Sequence, residues 1–325
     1  MHPSKLQAIQ TALAQLGLAQ RLDALDTAYL ARELESVEQT IYQTEYPELK
    51  ARMLIPVDTS DPPGARSISY DMFDRFGIAK IISNFADDLP MADAFKKRTS
   101  SSVHSMGIGY QYTIEDMLAA AAARAIGRAG ADILQEKATG AREGSEAKLD
   151  DIAFFGDADA GLGGFANNSN VTVTSEITGT WSTATAAQIM ADLDELVSAH
   201  VTQMKGRVAP KSLTVVLPLA SYLIVAHKPV DTTNQDRVLK VWLEHQPFVG
   251  DVFWSEKLDT ADAAGTGPRM VCYRREPRVL ALKIPMDYTT LPPQAKNLAF
   301  VVPAIMRVGG TVMRYPVNVT YMDNI

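Results

Sequence analysis

Three spacings in this sequence would serve chemistry if their surroundings allowed it. Gly161, Gly163 and Ala166 carry the spacing of a dinucleotide fingerprint, which works because a strand delivers a pyrophosphate to the N-terminus of the following helix. Here a helical pattern precedes them and Asn167-Asn168-Ser169-Asn170 follows, so that context is missing, and no Gly-Lys-Ser/Thr phosphate loop occurs. Asp157 and Asp159 resemble the start of a calcium loop. An EF-hand then needs an oxygen ligand at Gly161, a glycine at Leu162 and a bidentate acid at Asn168, and the sequence fails at all three. Ser145 and Lys148 have Ser-x-x-Lys spacing without the Ser-Asp-Asn or Lys-Thr-Gly partners of that mechanism, and Ser145 falls on a helix packing face.

The remaining reactive side chains form no constellation. His2, His104, His200, His227 and His245 make no metal-ligand spacing with one another or with Cys272, the only cysteine. A lone cysteine among apolar neighbours is expected to pack, and it permits no intrachain disulfide. The acidic pairs Asp87-Asp88 and Asp150-Asp151 lie in turn-like or helical context, without the pocket that acid–base chemistry needs. No catalytic residue, cofactor site or metal site is predicted.

Composition narrows the class. The 325 residues are 46% hydrophobic and 21% charged, which is globular, and the length suits about two domains. Net charge is −7 with Lys and Arg scattered, so the basic stripe of a nucleic-acid groove is absent. There is no apolar run long enough for a membrane span, and the N-terminus lacks the apolar core of a signal peptide.

The elements follow from periodicity. Leu6, Ile9, Leu13 and Leu16 recur at helical spacing, and a second helical stretch from about Asp26 to Thr44 carries Leu30, Leu34, Val37 and Ile41. Periodicity leaves open whether these pack on their own body or form an arm on a neighbour. Asp61-Pro62-Pro63-Gly64 ends helical structure. Ile68, Tyr70 and Met72 alternate as a strand, Ile78 to Phe85 continues extended, Asp87 to Ser102 reads as a polar loop tip, and Val103 to Tyr112 as the returning strand. The result is a long two-stranded excursion, marginal unless it lies on something else. Helix returns at Thr113, with Gly127 and Gly130 as an interruption. From Ala131 to Phe155 the residues Leu134, Ala138, Ala141, Ser145, Leu149 and Ile152 line one face of a long helix, where Gly140 and Gly144 permit close approach. The Gly156–Gly164 turn ends it. Helices are expected at Ala184–Met204, Leu219–Ala226 and Arg237–His245. Strands are expected at Leu213–Leu217, Val249–Trp254, Met270–Tyr273 and Val279–Ile284, and a loop from Asp259 to Pro268. Met313 to Tyr321 alternates as a final strand with Pro316 at an edge or bulge.

Several strings then resemble the major capsid proteins of tailed phages, the Hong Kong 97-type shell fold, and within it the branch once catalogued as a phage protein of unknown function. They are Ala31-Arg32-Glu33-Leu34-Glu35, Glu45-Tyr46-Pro47-Glu48-Leu49-Lys50-Ala51-Arg52, Ile55-Pro56-Val57, Pro62-Pro63-Gly64-Ala65 and Ala86-Asp87-Asp88-Leu89-Pro90. Further along come Ile152-Ala153-Phe154-Phe155-Gly156-Asp157-Ala158, Asn167-Asn168 with Val171-Thr172, Leu291-Pro292-Pro293, Val302-Pro303, Gly309-Gly310 and Arg314-Tyr315-Pro316. Their order and coverage carry the likeness.

The resemblance implies an α+β fold with an N-terminal arm (1–64), an extended two-stranded loop (65–112), a peripheral domain with a spine helix (113–165 and 289–325) and an axial domain (166–288). It implies a non-enzymatic subunit that self-assembles into pentamers and hexamers around double-stranded DNA without sequence readout. The shell would form in the host bacterial cytoplasm, with a portal, a separate scaffold and a cement protein as further partners. The separate scaffold is expected because the arm begins almost at Met1. Leu6, Ile9, Leu13, Leu16, Tyr70, Phe85, Lys96 and Lys97 are the expected assembly contacts. Some members cross-link a loop lysine to an asparagine. Lys80, Lys96 and Lys97 lie on or near the loop, but no matching asparagine and acid stand out, so no cross-link is expected. The rival readings are an encapsulin-type nanocompartment of the same fold and an α/β enzyme using the Gly156–Gly164 turn.

Overall fold

The computed structural model describes residues 48–81, 91–125, 133–175, 179–231 and 235–325. Leu6, Ile9, Leu13, Leu16 and Phe85, the helix expected at 26–44 and the Gly127–Gly130 interruption lie outside the described residues. The chain divides into two compact units, Met1–Glu45 with Leu118–Asp132, and Tyr46–Met117 with Ile133–Ile325. Of the first, residues 118–125 are described, and they are helical. The second unit holds the sheets and the long helix.

The short helix α1 (Ala51–Leu54) opens it, and α2 (Ile114–Ala125) starts within it. The long helix α3 (Ile133–Phe155) has 23 residues and spans about 35 Å at 1.5 Å per residue. Ala141, Ser145, Leu149 and Ile152 are buried along it, the face that the 3–4 spacing predicts. The Ser145 hydroxyl donates back to Ala141 O at 3.1 Å, which satisfies it within the helix. Gly144 lets the helix approach the next layer: a Cβ there would meet Ile108 Cδ1 at 3.2 Å, whereas Gly140 faces open space. The helix stops at Gly156, whose φ of +71° suits glycine and where a Cβ would lie 2.3 Å from Leu162 O.

A five-stranded mixed sheet runs β5 (Thr172–Ser175), β14 (Val319–Asp323), β8 (Arg269–Arg274), β6 (Leu213–Pro218), β7 (Val249–Ser255). Because side chains alternate across a strand, this sheet serves two cores. Val216, Val271, Tyr273, Val319 and Tyr321 pack with Leu149, Phe154 and Phe165. Val215, Leu217, Met270, Cys272 and Met322 pack with Ile189, Leu193 and Leu196 of α4 (Ala186–Gln203). The second core also takes Val225 of α5 (Leu219–His227) and Trp242 of α6 (Val238–His245). The inner strand β6 is buried on both faces, which explains its Val215-Val216-Leu217 run. Helix α4 starts with a full capping box, Thr185 and Gln188 bonding reciprocally to each other's backbone.

A second sheet joins β4 (His104–Thr113) to β12 (Ala299–Val308) over ten antiparallel pairs, with β10 (Met286–Thr290) and β11 (Gln294–Lys296) also on β12. A third holds β1 (Val57–Asp58), β9 (Leu280–Lys283) and β13 (Thr311–Met313).

Two expectations are corrected. Asp87–Ser102 is not wholly a loop tip: β3 (Asp93–Ser102) is the strand that pairs with β2 (Ser67–Phe76). Its Lys, Arg and Ser side chains read as loop because both ribbon faces meet water along most of its length. Val103–Tyr112 is therefore not the returning strand. Buried Val103, whose N–H donates to Arg66 O at 2.9 Å, marks the crossing at which the chain leaves the ribbon for β12. Likewise Met313–Tyr321 is not one strand. The chain breaks into β13, a 3-10 turn at Pro316–Asn318 and β14, and the two strands belong to different sheets. Pro316 supplies no N–H for a ladder, and Tyr315 and Val317 end up exposed rather than on an apolar face.

Candidate assembly elements

The ribbon pairs without a bulge from Ser67 opposite Ser102 to Phe76 opposite Asp93. Alternation places Ile68, Tyr70, Met72, Asp74 and Phe76 on one face, with Thr99, Lys97 and Phe95 opposite. The other face carries Ser69, Asp71, Phe73 and Arg75, with Arg98 and Lys96.

The base of the ribbon is seated on the body. Ile68 is buried, Tyr70 Oη donates to Met313 O at 3.4 Å, and Ser101 Oγ donates to Gly309 O at 3.2 Å. Ser102 Oγ donates to Ala160 O at 2.8 Å, so the Gly156–Gly164 turn helps to hold the base. On the second face Asp71 takes Arg98 Nε at 2.7 Å and Lys96 Nζ at 2.6 Å. The Arg98 hydrogen bond, then that of Lys96, holds the Asp71 carboxyl well below the usual carboxylate range. Farther out, every residue at 73–81 and 91–98 is exposed. Phe73, Phe76, Ile78, Ile81, Met91 and Phe95 are among them, with Ile81 at 99%. Large apolar side chains exposed at this density mark a region that something else covers.

The first helix of the body is fastened to α3. Asp150 Oδ1 accepts the Ala51 N–H at 2.8 Å and so caps α1 from another element. Burial pushes the Asp150 carboxyl upward, against the effect of that N–H. Arg52 grips Glu146 in a two-point contact at 2.9 Å and reaches Asp287 at 2.7 Å. Beneath the ribbon base, Lys283 Nζ sits 2.7 Å from both Asp58 Oδ2 and Asp61 Oδ2. In the five-stranded sheet a buried Arg269–Asp323 pair makes two contacts, at 2.5 and 2.7 Å. None of these pairs was singled out from the sequence. The available signals were Lys283 inside the apolar run Val279–Ile284 and Arg269 just before Met270–Tyr273, since charges in buried strands need partners.

The motifs around the Gly156–Gly164 turn are structural. Asp157 Oδ1 accepts the Ala160 N–H at 3.1 Å within a turn, and Gly163 O accepts Thr311 N–H at 2.8 Å. Asn167 Nδ2 donates to Phe155 O, closing the end of α3. Among the described residues no group of three His, Cys, Asp or Glu is placed to hold a metal ion, and no helix is long and apolar enough to cross a membrane. His200 is buried with Nδ1 3.0 Å from Thr320 Oγ1, and burial brings it down to about 4. Cys272 is buried, and burial pushes its thiol up. Tyr70, Lys96 and Lys97 all lie on the ribbon, Tyr70 at the seated base and the two lysines in the exposed part.

A sheet-based body, a long central helix and a projecting ribbon together define a shell-building subunit. Residues 77–325 match the family model described as "Major capsid protein", and the chain belongs to that family. The virion capsid is its place. Among solved structures, the capsid of Myoviridae phage XM1 aligns with a TM-score of 0.78 at 16% identity, over 91% of this chain and 98% of that one. A structure from Mycobacterium phage Ogopogo aligns at 0.61 and 12%, over 91% and 98%. A virus-like particle from Pyrococcus furiosus aligns at 0.54 and 12%, over 83% and 90%. The fold is the Hong Kong 97-type shell fold, and neither the nanocompartment nor the enzyme reading is favoured. No curated protein sequence matches significantly.

Proposed function

We propose that this chain forms pentamers and hexamers that close into the shell of a tailed bacteriophage around double-stranded DNA, in the bacterial cytoplasm. The observation that carries this is the ribbon: its base is bonded to the body, while its outer half exposes Phe73, Phe76, Ile78, Ile81, Met91 and Phe95. Ribbon and N-terminal segment interlock neighbouring copies through heterologous contacts, which close into rings. Leu6, Ile9, Leu13, Leu16 and Phe85 join Tyr70 and Lys97 in these contacts, while Lys96 braces the ribbon through Asp71.

The net charge of −7 suits a container that confines DNA without gripping it. The chain works through surfaces, with no catalytic step and no cross-link between subunits. A portal, a separate scaffold and a cement protein complete the particle. The test is expression of the chain, with and without a co-expressed scaffold, followed by size-exclusion chromatography and electron microscopy. Capsomers or megadalton shells are expected, giving only monomer on denaturing gels. A chain that stays at 35.4 kDa under every assembly condition sinks the reading.

A further inference from the structure

We infer that the ribbon engages a second copy of this chain through one particular face, the one that already seats its base, with Phe76 and Phe95 as anchors. This rests on the reading of the ribbon as an inter-subunit element.

The two faces differ in chemistry. The seated face runs outward as Ile68, Tyr70, Met72, Asp74 and Phe76, with Lys97, Phe95 and Asp93 from the opposite strand. Asp74 pairs with Phe95 and Phe76 with Asp93, so the two phenylalanines are diagonal neighbours, close enough to form one apolar surface. Exposure rises along this stripe from 8% at Ile68 to 61% at Phe76 and 63% at Phe95. Its inner part is covered by the body and its outer part is exposed, so the same strip continues outward from the seat.

The reverse face is complete without a partner. Asp71 is saturated by Lys96 and Arg98, and Lys96 Nζ also lies 5.8 Å from the Phe73 ring centroid, over its face. Burying that face would strip water from three cations, Arg75, Lys96 and Arg98, against the single carboxylate of Asp71, which is costly. The seated face instead sets Lys97 among Asp74 and Asp93 and exposes two aromatic rings rather than one. Desolvating Phe76 and Phe95 is favourable, and aromatic anchors dominate interface energies. The occupant is a second copy because the family builds its shell from copies of one chain.

The test compares F76D/F95D with F73D, all at residues exposed in the free subunit, so far-ultraviolet circular dichroism and melting temperature should match the parent. F76D/F95D is expected to lower the yield of closed shells by at least about tenfold, as loss of a buried aromatic anchor does. F73D should assemble to within about twofold of the parent, since a charge on a face that stays wet costs little. Hydroxyl-radical footprinting of parent shells against free subunits is the second measurement. Phe76 and Phe95 should become protected while Phe73 stays reactive. Normal shells from F76D/F95D with none from F73D, or protection of Phe73 alone, overturns the choice of face and leaves the ribbon as a contact. Normal shells from both variants, with no ribbon residue protected, overturns the ribbon's role itself.

Discussion

Lys283 Nζ lies 2.7 Å from Asp58 Oδ2, joining β9 to the strand that precedes the ribbon. Its side chain is 5% exposed and also holds Asp61 at 2.7 Å, so one buried ammonium fixes two carboxylates beneath the ribbon base. Burial raises the Asp58 carboxyl, but the Lys283 hydrogen bond, helped by Ser60, outweighs it and leaves the group below the usual range.

Lys283→Met should therefore destabilise the subunit by about 2–3 kcal/mol, because Asp61 loses the ammonium and Asp58 keeps as its cation only Arg314 at 3.4 Å. Urea denaturation checks this. The folded Asp58 pKa lies below its unfolded value of about 4, so its contribution is whole above that pH and declines as pH falls through the folded value. K283M should flatten that acid limb. An unchanged midpoint and acid limb would show that the pair contributes nothing.

His200 works with the same sign for a different reason. Burial lowers it from 6.5 to about 4, so between those values the unfolded chain binds more protons than the native one. Stability should rise with pH across that window, by about 3 kcal/mol in total. His200→Gln should remove that slope while the midpoint at pH 8 moves little. Denaturation midpoints collected from pH 4 to pH 8 decide it, and a parent slope retained in the variant refutes the assignment.

Two left-handed glycines separate strain from crowding. Gly179 (φ +76°) has nothing within 4 Å of an added Cβ, whereas at Gly156 (φ +71°) the Cβ would meet three backbone atoms inside 3 Å. Gly179→Ala should cost about 1–2 kcal/mol, the left-handed penalty alone. Gly156→Ala must shift the turn against α3 and should cost clearly more, lowering soluble yield as well as melting temperature. Equal losses would count against the close turn.

Cys272 should be inert in the folded subunit. It is fully buried and its thiolate is disfavoured by burial, and the thiolate is the reactive form. A chromogenic disulfide reagent should give no signal until denaturant unfolds the chain, then one equivalent. Fast labelling of native protein would contradict the packing of β8.

Helices were legible because their evidence is local. The buried face of α3 is the stripe Ala141, Ser145, Leu149 and Ile152, and the α4 cap is written in Thr185 and Gln188. Of the proposed assembly contacts, Tyr70, Lys96 and Lys97 were placed on the excursion and lie on the ribbon strands, but the exposed Phe73, Phe76 and Phe95 were not singled out. Exposed aromatics look the same in sequence as core ones. Only coordinates show that Phe73, Phe76 and Phe95 are exposed.

By itself the sequence determined the two periodicities, the spine helix and the Gly156 stop, and its ordered strings carried the likeness to phage shell proteins. Tertiary structure alone decided strand partners. Val103–Tyr112 has the same alternation whether it returns along β2 or, as it does, pairs with Ala299–Val308 nearly two hundred positions away. Alternation specifies a face and not a neighbour, since the ladder bonds are made by backbone groups common to every residue. The same reason explains why Pro316 could be read as a bulge when it in fact passes the chain from one sheet to another.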